Sequence, residues 1–275
     1  MQNYNQAPLP FQGQKRRFYC AFKSALTEFQ NKQIFVDLFG GSGFLSHTVK
    51  QVYPQARVIC NDYDNYHSRL NNISRTNTIL ADIRAMLNEY ASEKKLSEEQ
   101  RKRVLERISK ESGYVDYITL SSNLLFSMNY VLSFEDLSKQ TMYNRVRKTD
   151  YPLCEDYLKD IEIVRLDYKE LYKQYKDMPG VVFLVDPPYL STDTSTYNKD
   201  TCWKLSDYLD VLSIVHNSSY FYFTSNKSEI LELCDWMEKN LGFDNPFREA
   251  IIKEVYAKMT RSGGYMDIML YRRLD

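Results

Sequence analysis

The chain is poor in cysteine, histidine and long apolar runs, and it carries no excess charge of either sign. Its five cysteines, Cys20, Cys60, Cys154, Cys202 and Cys234, are odd in number and include no Cys-x-x-Cys pair. A disulfide framework or zinc site is therefore not expected, and a reducing cytoplasm is the natural compartment. The three histidines, His47, His67 and His216, have no metal-ligand spacing, so no metal is expected. The start, MQNYNQAPLP, is polar and lacks the apolar core of a secretion signal, and the longest apolar runs are strand-sized. No membrane span is expected. With 36 basic and 36 acidic residues the net charge is zero. That argues against a basic coat for a polyanion over the whole surface but leaves room for one basic groove. Internal repeats and low-complexity stretches are absent as well.

What is present is an ordinary globular balance, 43% apolar and 26% charged over 275 residues, enough for a large α/β domain carrying an insertion. The 23 tyrosines stand out. Rings with a polar tip suit surfaces that stack on bases, although a compositional bias of the lineage explains the count equally well. Short β-branched runs predict strands at Gln33–Phe39, Arg57–Cys60, Ile161–Leu166, Val181–Val185 and Ser219–Thr224. Two more, Ile251–Met259 and Tyr265–Arg272, are joined by the hairpin signal Arg261-Ser262-Gly263-Gly264. Helical periodicity fits Lys15–Phe29, Phe44–Val52, Trp203–His216 and Ser228–Asn240. Strands alternating with helices imply right-handed βαβ units in a parallel sheet, and the closing hairpin adds an antiparallel strand.

Between about Asp64 and Asp160 this rhythm breaks. Leu80–Ser112 reads as helical and thick with charge, and its Lys94–Lys110 part, alternating with Glu93, Glu98, Glu99 and Glu106, reads as an exposed helix. A basic segment follows at Asn144-Arg145-Val146-Arg147-Lys148. The expected organisation is a sheet domain made of residues 1–63 and 161–275, with residues 64–160 inserted as a helical subdomain.

Chemistry concentrates at strand ends. Val181–Val185 runs into Asp186-Pro187-Pro188-Tyr189, and ligands of open α/β sheets bind beyond the carboxyl ends of strands. The exocyclic amine of adenine is a poor nucleophile because its lone pair is delocalised into the ring. The Asp186 carboxylate and the Pro187 carbonyl, each accepting one N–H, would localise that pair. Two prolines would hold the acceptors rigidly, and Tyr189 offers a stacking face. An ordinary strand-to-turn corner is the alternative. Asp37-Leu38-Phe39-Gly40-Gly41-Ser42-Gly43 is a glycine turn between strand and helix, as in a nucleotide-binding first βα turn. Ser46 stands where GxGxxG needs its third glycine, and there is no Gly-Lys-Ser/Thr, so a nucleoside ligand without phosphates is favoured. Asp62 or Asp64, ending the second strand, is placed either for ribose hydroxyls or as a helix N-cap.

Phe11-Gln12-Gly13-Gln14-Lys15, the glycine turn and Asp-Pro-Pro-Tyr, in this order and with the insertion before the last, resemble the Dam-like family of DNA adenine-N6 methyltransferases. The resemblance spans essentially the whole chain. It implies a Rossmann-like methyltransferase fold, a mostly parallel seven-stranded sheet with a C-terminal antiparallel hairpin strand, plus the helical insertion as target-recognition subdomain. It implies S-adenosylmethionine as cofactor and duplex DNA as partner, and a cognate restriction endonuclease is compatible with it. Phe11, Gly13 and Lys15 then belong to the motif that closes over the methionine part of the cofactor. Asp37, Phe39, Gly41 and Gly43 form the cofactor loop, Asp62 holds the ribose, and Asp167 contacts the cofactor's adenine amine. Asp186, Pro187, Pro188 and Tyr189 act on the target adenine. Ser225-Asn226 matches the family's strand-end pair, a structural one. Asn144, Arg145, Arg147 and Lys148 are the candidates for DNA contact, with a solvated charged face as the alternative for each basic residue; Ser191–Thr201 is the candidate for a lid and Tyr197 for a substrate contact, whereas core packing is the better reading of Trp203. The hairpin by which Dam enzymes read GATC is not found.

Three rivals keep parts of this pattern. An RNA or protein amine methyltransferase would share the cofactor loop. An idle DNA-binding subunit would keep the fold without turnover. A dinucleotide oxidoreductase is disfavoured by the broken GxGxxG.

Overall fold

The computed structural model describes residues 4–126, 129–190, 203–258 and 263–274. Seven strands form one sheet: β1 (Ile34–Asp37), β2 (Arg57–Asn61), β3 (Glu162–Val164), β4 (Val181–Val185), β5 (Ser219–Ser225), β6 (Ile251–Lys258) and β7 (Gly264–Arg272). Their spatial order is β3-β2-β1-β4-β5-β7-β6. The first five run parallel, and β7 inserts antiparallel between β5 and β6. All five residues of β4 and all seven of β5 are buried, which is why these runs read as continuous apolar stretches rather than alternating ones. The expected fold, an α/β methyltransferase-like sheet of seven strands with a C-terminal hairpin, is the one found.

Strand order reverses between β1 and β4, and the crevice beyond their carboxyl ends is the place where such sheets bind ligands. One face of the sheet is packed by α1 (Tyr19–Leu26) and α2 (Phe44–Val52). There Phe18, Phe22 and Phe29 meet Phe35, Phe221 and Phe223, with Phe22 edge-on to Phe221 at 4.9 Å. The other face is packed by α8 (Tyr168–Tyr175), α9 (Leu205–His216) and α10 (Ile230–Leu241). No described helix is long and apolar enough to cross a membrane.

The insertion adds α3 (Tyr66–Asn71), α4 (Ile73–Leu87), α5 (Glu98–Ser109), α6 (Tyr117–Leu124) and α7 (Phe134–Ser138). Ile79, Ile83 and Leu87 of α4, Val104 and Ile108 of α5 and Leu120 and Leu124 of α6 make a core of their own. Each such side chain contributes about 1.5–3 kcal/mol on burial. Ala7 and Leu9 of the N-terminal segment belong to this core, not to the sheet faces.

Two helical expectations are corrected. Leu80–Ser112 is not one helix: α4 ends at Leu87, and α5 starts afresh with a capping box in which Ser97 accepts the Gln100 amide while the Gln100 side chain accepts the Ser97 amide. Lys94 and Lys95 therefore lie in the connection. Lys15–Phe29 is regular α-helix only over α1, flanked by single 3-10 turns. The helices α3, α6 and α7 had no strong apolar periodicity in the sequence, being short or locally capped by Asp116 and Ser133, whereas α8, capped by Asp167, buries Leu171 and Tyr175 one turn apart and was missed for its eight-residue length.

Candidate active site

Three segments far apart in sequence converge on the crevice between β1 and β4. From β1 comes Asp37, fully buried, with Oδ2 accepting the Ser46 hydroxyl at 2.8 Å. Oδ1 is buried with no hydrogen-bond partner. Ser46, the residue that breaks GxGxxG, thus orients this carboxylate. From the end of β4 comes Asp186, and the N-terminal segment supplies Lys15, whose Nζ lies 2.5 Å from Asp186 Oδ2. Lys15 also donates to the Gly13 carbonyl at 2.7 Å and stands 5.4 Å from the Tyr189 ring centroid.

The glycine turn is built for close approach. Gly41 has φ +52°, and a Cβ there would lie 2.9 Å from the Phe11 ring; Gly43 has φ +68°, and its Cβ would lie 2.7 Å from Leu158. Phe11 therefore packs on the turn from the N-terminal side and Leu158 from the returning end of the insertion. Both positions demand glycine twice over, by backbone conformation and by space.

Carboxylates outnumber cations here. Burial pushes the Asp37 carboxyl up to about 7, and the negative charge of Asp186 adds to the rise. Asp186 is itself raised, by burial first, with Lys15 pulling in the opposite direction. A third carboxyl, Asp267 on β7, is raised by burial and drawn down by Lys15 and by Arg17, whose Nη1 is 3.6 Å away. The crevice as it stands is short of positive charge and fits a cationic ligand.

Around this centre the other expected residues take definite places. Asp62 is buried, and its two oxygens accept the amides of Tyr66 at 2.5 Å and His67 at 2.8 Å, so it caps α3. Asp64 is exposed. Asp167 is exposed and accepts the Lys169 amide at 2.7 Å, capping α8. Next to it Tyr168 stacks on Trp203 with centroids 5.5 Å apart, and Phe39 leans on both at 5.0 and 5.7 Å. Trp203 is half-buried at the edge of the core, as expected. Ser225 and Asn226 are structural: Asn226 exchanges hydrogen bonds with Met266 across to β7. Asn144 is engaged within the insertion, donating to the carbonyls of Leu87 and Tyr90. Arg145, Arg147 and Lys148 lie on the insertion, away from the Lys15–Asp186 pair in sequence and in contacts. Tyr197 and the expected lid Ser191–Thr201 lie outside the described residues.

Four residues were missed by sequence reasoning. Asn61 donates to the carbonyls of Leu38 and Leu166 and accepts the Leu166 amide, each at 3.0 Å, tying together the ends of β1, β2 and β3. Asp267 had a readable signal, a carboxylate inside the apolar run Tyr265–Tyr271. Arg69 and Asp116 form a buried pair at 3.0 Å, and Arg69 Nη2 also donates to the Pro10 carbonyl at 2.7 Å, next to Phe11. No local pattern marks that pair.

The family model described as D12 class N6 adenine-specific DNA methyltransferase matches residues 11–239, a span that begins at Phe11 and includes the glycine turn and Asp-Pro-Pro-Tyr. A protein of Haemophilus influenzae named "Putative methyltransferase" is 36% identical over 283 residues, covering 98% of this chain and 93% of that protein. Its motifs, its sheet and its match over most of its length place the chain in the D12 class N6 adenine-specific DNA methyltransferase family.

Proposed function

We propose that the protein transfers the methyl group of S-adenosylmethionine to N6 of an adenine flipped out of duplex DNA. The observation that carries this reading is the meeting of Phe11-x-Gly-x-Lys15, the glycine turn and Asp186-Pro-Pro-Tyr189 at one strand-order reversal. The residues present fit the cofactor. The orphaned Oδ1 of Asp37 is an acceptor buried beside the turn, and the excess of carboxylates suits a ligand bearing an ammonium and a sulfonium. In this reading Lys15, Gly13, Phe11, Gly41 and Gly43 enclose its methionine part. Asp62 retains lone pairs for ribose hydroxyls beyond those that cap α3. Phe39 and Asp167 flank its adenine. When bound, the cofactor supplies an electrophilic methyl group.

The chain's own residues do the rest. Asp186 and the Pro187 carbonyl accept hydrogen bonds from the two N6–H groups of the target base, which localises the nitrogen lone pair and stabilises positive charge as it grows; the N6 cation formed on methyl transfer then releases one proton to solvent. Pro187 and Pro188 keep those acceptors in place, and Tyr189 stacks on the base, offsetting part of the few kcal/mol that flipping costs. Asp186 acts as acceptor and electrostatic partner, so a strong base is not needed. Residues 64–160 carry target recognition, with Arg145, Arg147 and Lys148 on phosphates or guanine edges.

The test is transfer of labelled methyl from S-adenosylmethionine to unmethylated genomic DNA, followed by nucleoside analysis. Label in N6-methyladenine, reduced by about 10²- to 10³-fold in Asp186→Ala, is the expected result. Intact cofactor binding with no label in adenine would overturn the reading.

A further inference from the structure

On the sheet face packed by α1 and α2, two carboxylates flank the Lys15 ammonium. Val185 lies opposite Tyr222, and Phe223 opposite Met269. Asp186, one residue past Val185, is therefore level with Phe223 and Met269, which pack on that face. Asp267, two residues from Met269 on β7, shares the face with them and lies two strands from β4, about 10 Å across the sheet. Lys15 Nζ holds Asp186 Oδ2 at 2.5 Å. Its charge also reaches Asp267, where it opposes the rise caused by burial.

Asp267 is a costly residue for its place. It stands buried in the apolar run Tyr265–Tyr271, and its ion pair is loose, with Arg17 Nη1 3.6 Å away on a side chain 41% exposed. Buried carboxylates are as a rule closely paired. Asp186 has the reverse problem. Its partner is an ammonium standing where the amine of the target base has to be received. The same Nζ is 5.4 Å from the centroid of the Tyr189 ring, the face on which that base stacks. A cation left there takes an acceptor lone pair from N6–H and repels the positive charge that grows on N6.

Resting on the methyltransferase reading above, we propose that Lys15 moves from Asp186 to Asp267 as the target adenine enters, which makes Asp267 a positioning residue for methyl transfer. Lysine suits such an exchange. Its ammonium is a point charge with three rotatable donors on a flexible stem, and no bidentate geometry has to be broken. The backbone stays fixed meanwhile. The Lys15 carbonyl accepts the Phe18 amide at 2.9 Å, and Phe18 is fully buried in the core beneath, so only the side chain has to turn. No buried charge is left alone at either stage. Before the base arrives, the lysine keeps Asp186 paired. Once the N6–H group has taken its place, Asp267 keeps the lysine paired.

The experiment uses the full chain as wild type, Asp267→Asn, Asp267→Glu and Arg17→Ala. Methylation of unmethylated genomic DNA is followed at saturating S-adenosylmethionine, with S-adenosylhomocysteine binding and thermal melting as controls on the cofactor site and on folding. In Asp267→Asn no carboxylate receives Lys15, which stays on Asp186 and competes with the base. Its kcat should fall by about ten- to a hundredfold, the weight of one charged hydrogen bond. KM for DNA, set mainly by phosphate contacts, should stay at the wild-type value. Asp267→Glu should recover most of the loss. Arg17→Ala separates the two roles open to Asp267: a carboxylate that only held Arg17 would make this variant as slow as Asp267→Asn, whereas a receiver of Lys15 leaves its kcat unchanged. A structure of wild type with S-adenosylhomocysteine and a duplex containing the methylated sequence does not depend on how the variants fold. It should show Lys15 Nζ within hydrogen-bond distance of Asp267. Wild-type kcat in a folded Asp267→Asn, an equal loss in Arg17→Ala, or Lys15 found anywhere but on Asp267 beside a flipped adenine would overturn the exchange alone. A wild type that binds S-adenosylhomocysteine but methylates no adenine would overturn the parent reading and the exchange with it.

Discussion

The crevice at the carboxyl edge of the sheet and the outer surface of the insertion both depend on charge, and they handle it in opposite ways. At the crevice and its N-terminal cover the charged groups are few and largely out of water: Asp37, Asp267 and Lys15 buried, Asp186 half-buried, and behind them, inside the insertion, the buried pair of Arg69 with Asp116. On the insertion's outer surface they are numerous and wet, as with Lys102 and Glu106 at 3.9 Å, both more than half exposed. The same ion pair has different weight in the two settings, because water screens one and not the other. A buried charge is held by a specific partner, and losing that partner leaves an uncompensated ion. An exposed charge is interchangeable within the structure and acquires meaning only against a charged ligand.

The largest expected effect tests that contrast directly. Arg69→Ala leaves Asp116 buried without its guanidinium and releases Pro10, and should cost about 3–5 kcal/mol of stability in a urea or thermal melt. It should also weaken cofactor binding through Phe11 and Lys15. A loss below 1 kcal/mol, on the order of a surface pair, would break the comparison.

A second effect sharpens it through pH. Asp37 in the free protein titrates near 7 because of burial and then of Asp186. The folded chain therefore holds a proton that the unfolded chain, with an ordinary aspartate, has already released. Between pH about 4 and 7 the stability from this group falls as pH rises, by about 1.4 kcal/mol per unit. Cofactor binding runs the other way. A cationic ligand favours the carboxylate, so affinity should rise about tenfold per pH unit below 7 and level off above it. Asp37→Asn should flatten both slopes, as measured by melts and by calorimetry across that range. Slopes unchanged in Asp37→Asn would assign the proton elsewhere.

The smallest effect is expected of Lys102→Ala on α5. Removing its exposed contact to Glu106 should change stability by less than about 0.5 kcal/mol. A cost comparable to that of Arg69→Ala would show that the insertion's surface charges are not interchangeable.

Legibility followed the range of the forces involved. β4, β5 and β7 were readable because burial on both faces writes long apolar runs, and the Asp186 and Gly41 motifs were readable because each lies on one turn. The break at residues 88–97 was hidden by charge: Glu93-Lys94-Lys95 looks helical beside Glu98 and Glu99, and only the cap at Ser97 restarts the helix. Asn144 read as a DNA contact from its basic neighbours, whereas its amide fastens the carbonyls of Leu87 and Tyr90. Asp62 kept two readings open, and the cap on α3 is the one its bonded oxygens display.

By itself the sequence determined the strands, the glycine turn, the Asp-Pro-Pro-Tyr corner and hence the fold and family, because periodicity and turn chemistry are local. Tertiary structure alone decided which carboxylates share one lysine, what protonation they take, and that Lys95 meets Tyr143 as a β-bridge. Desolvation, Coulomb attraction and strand pairing depend on distance in space, and no spacing along the chain encodes that.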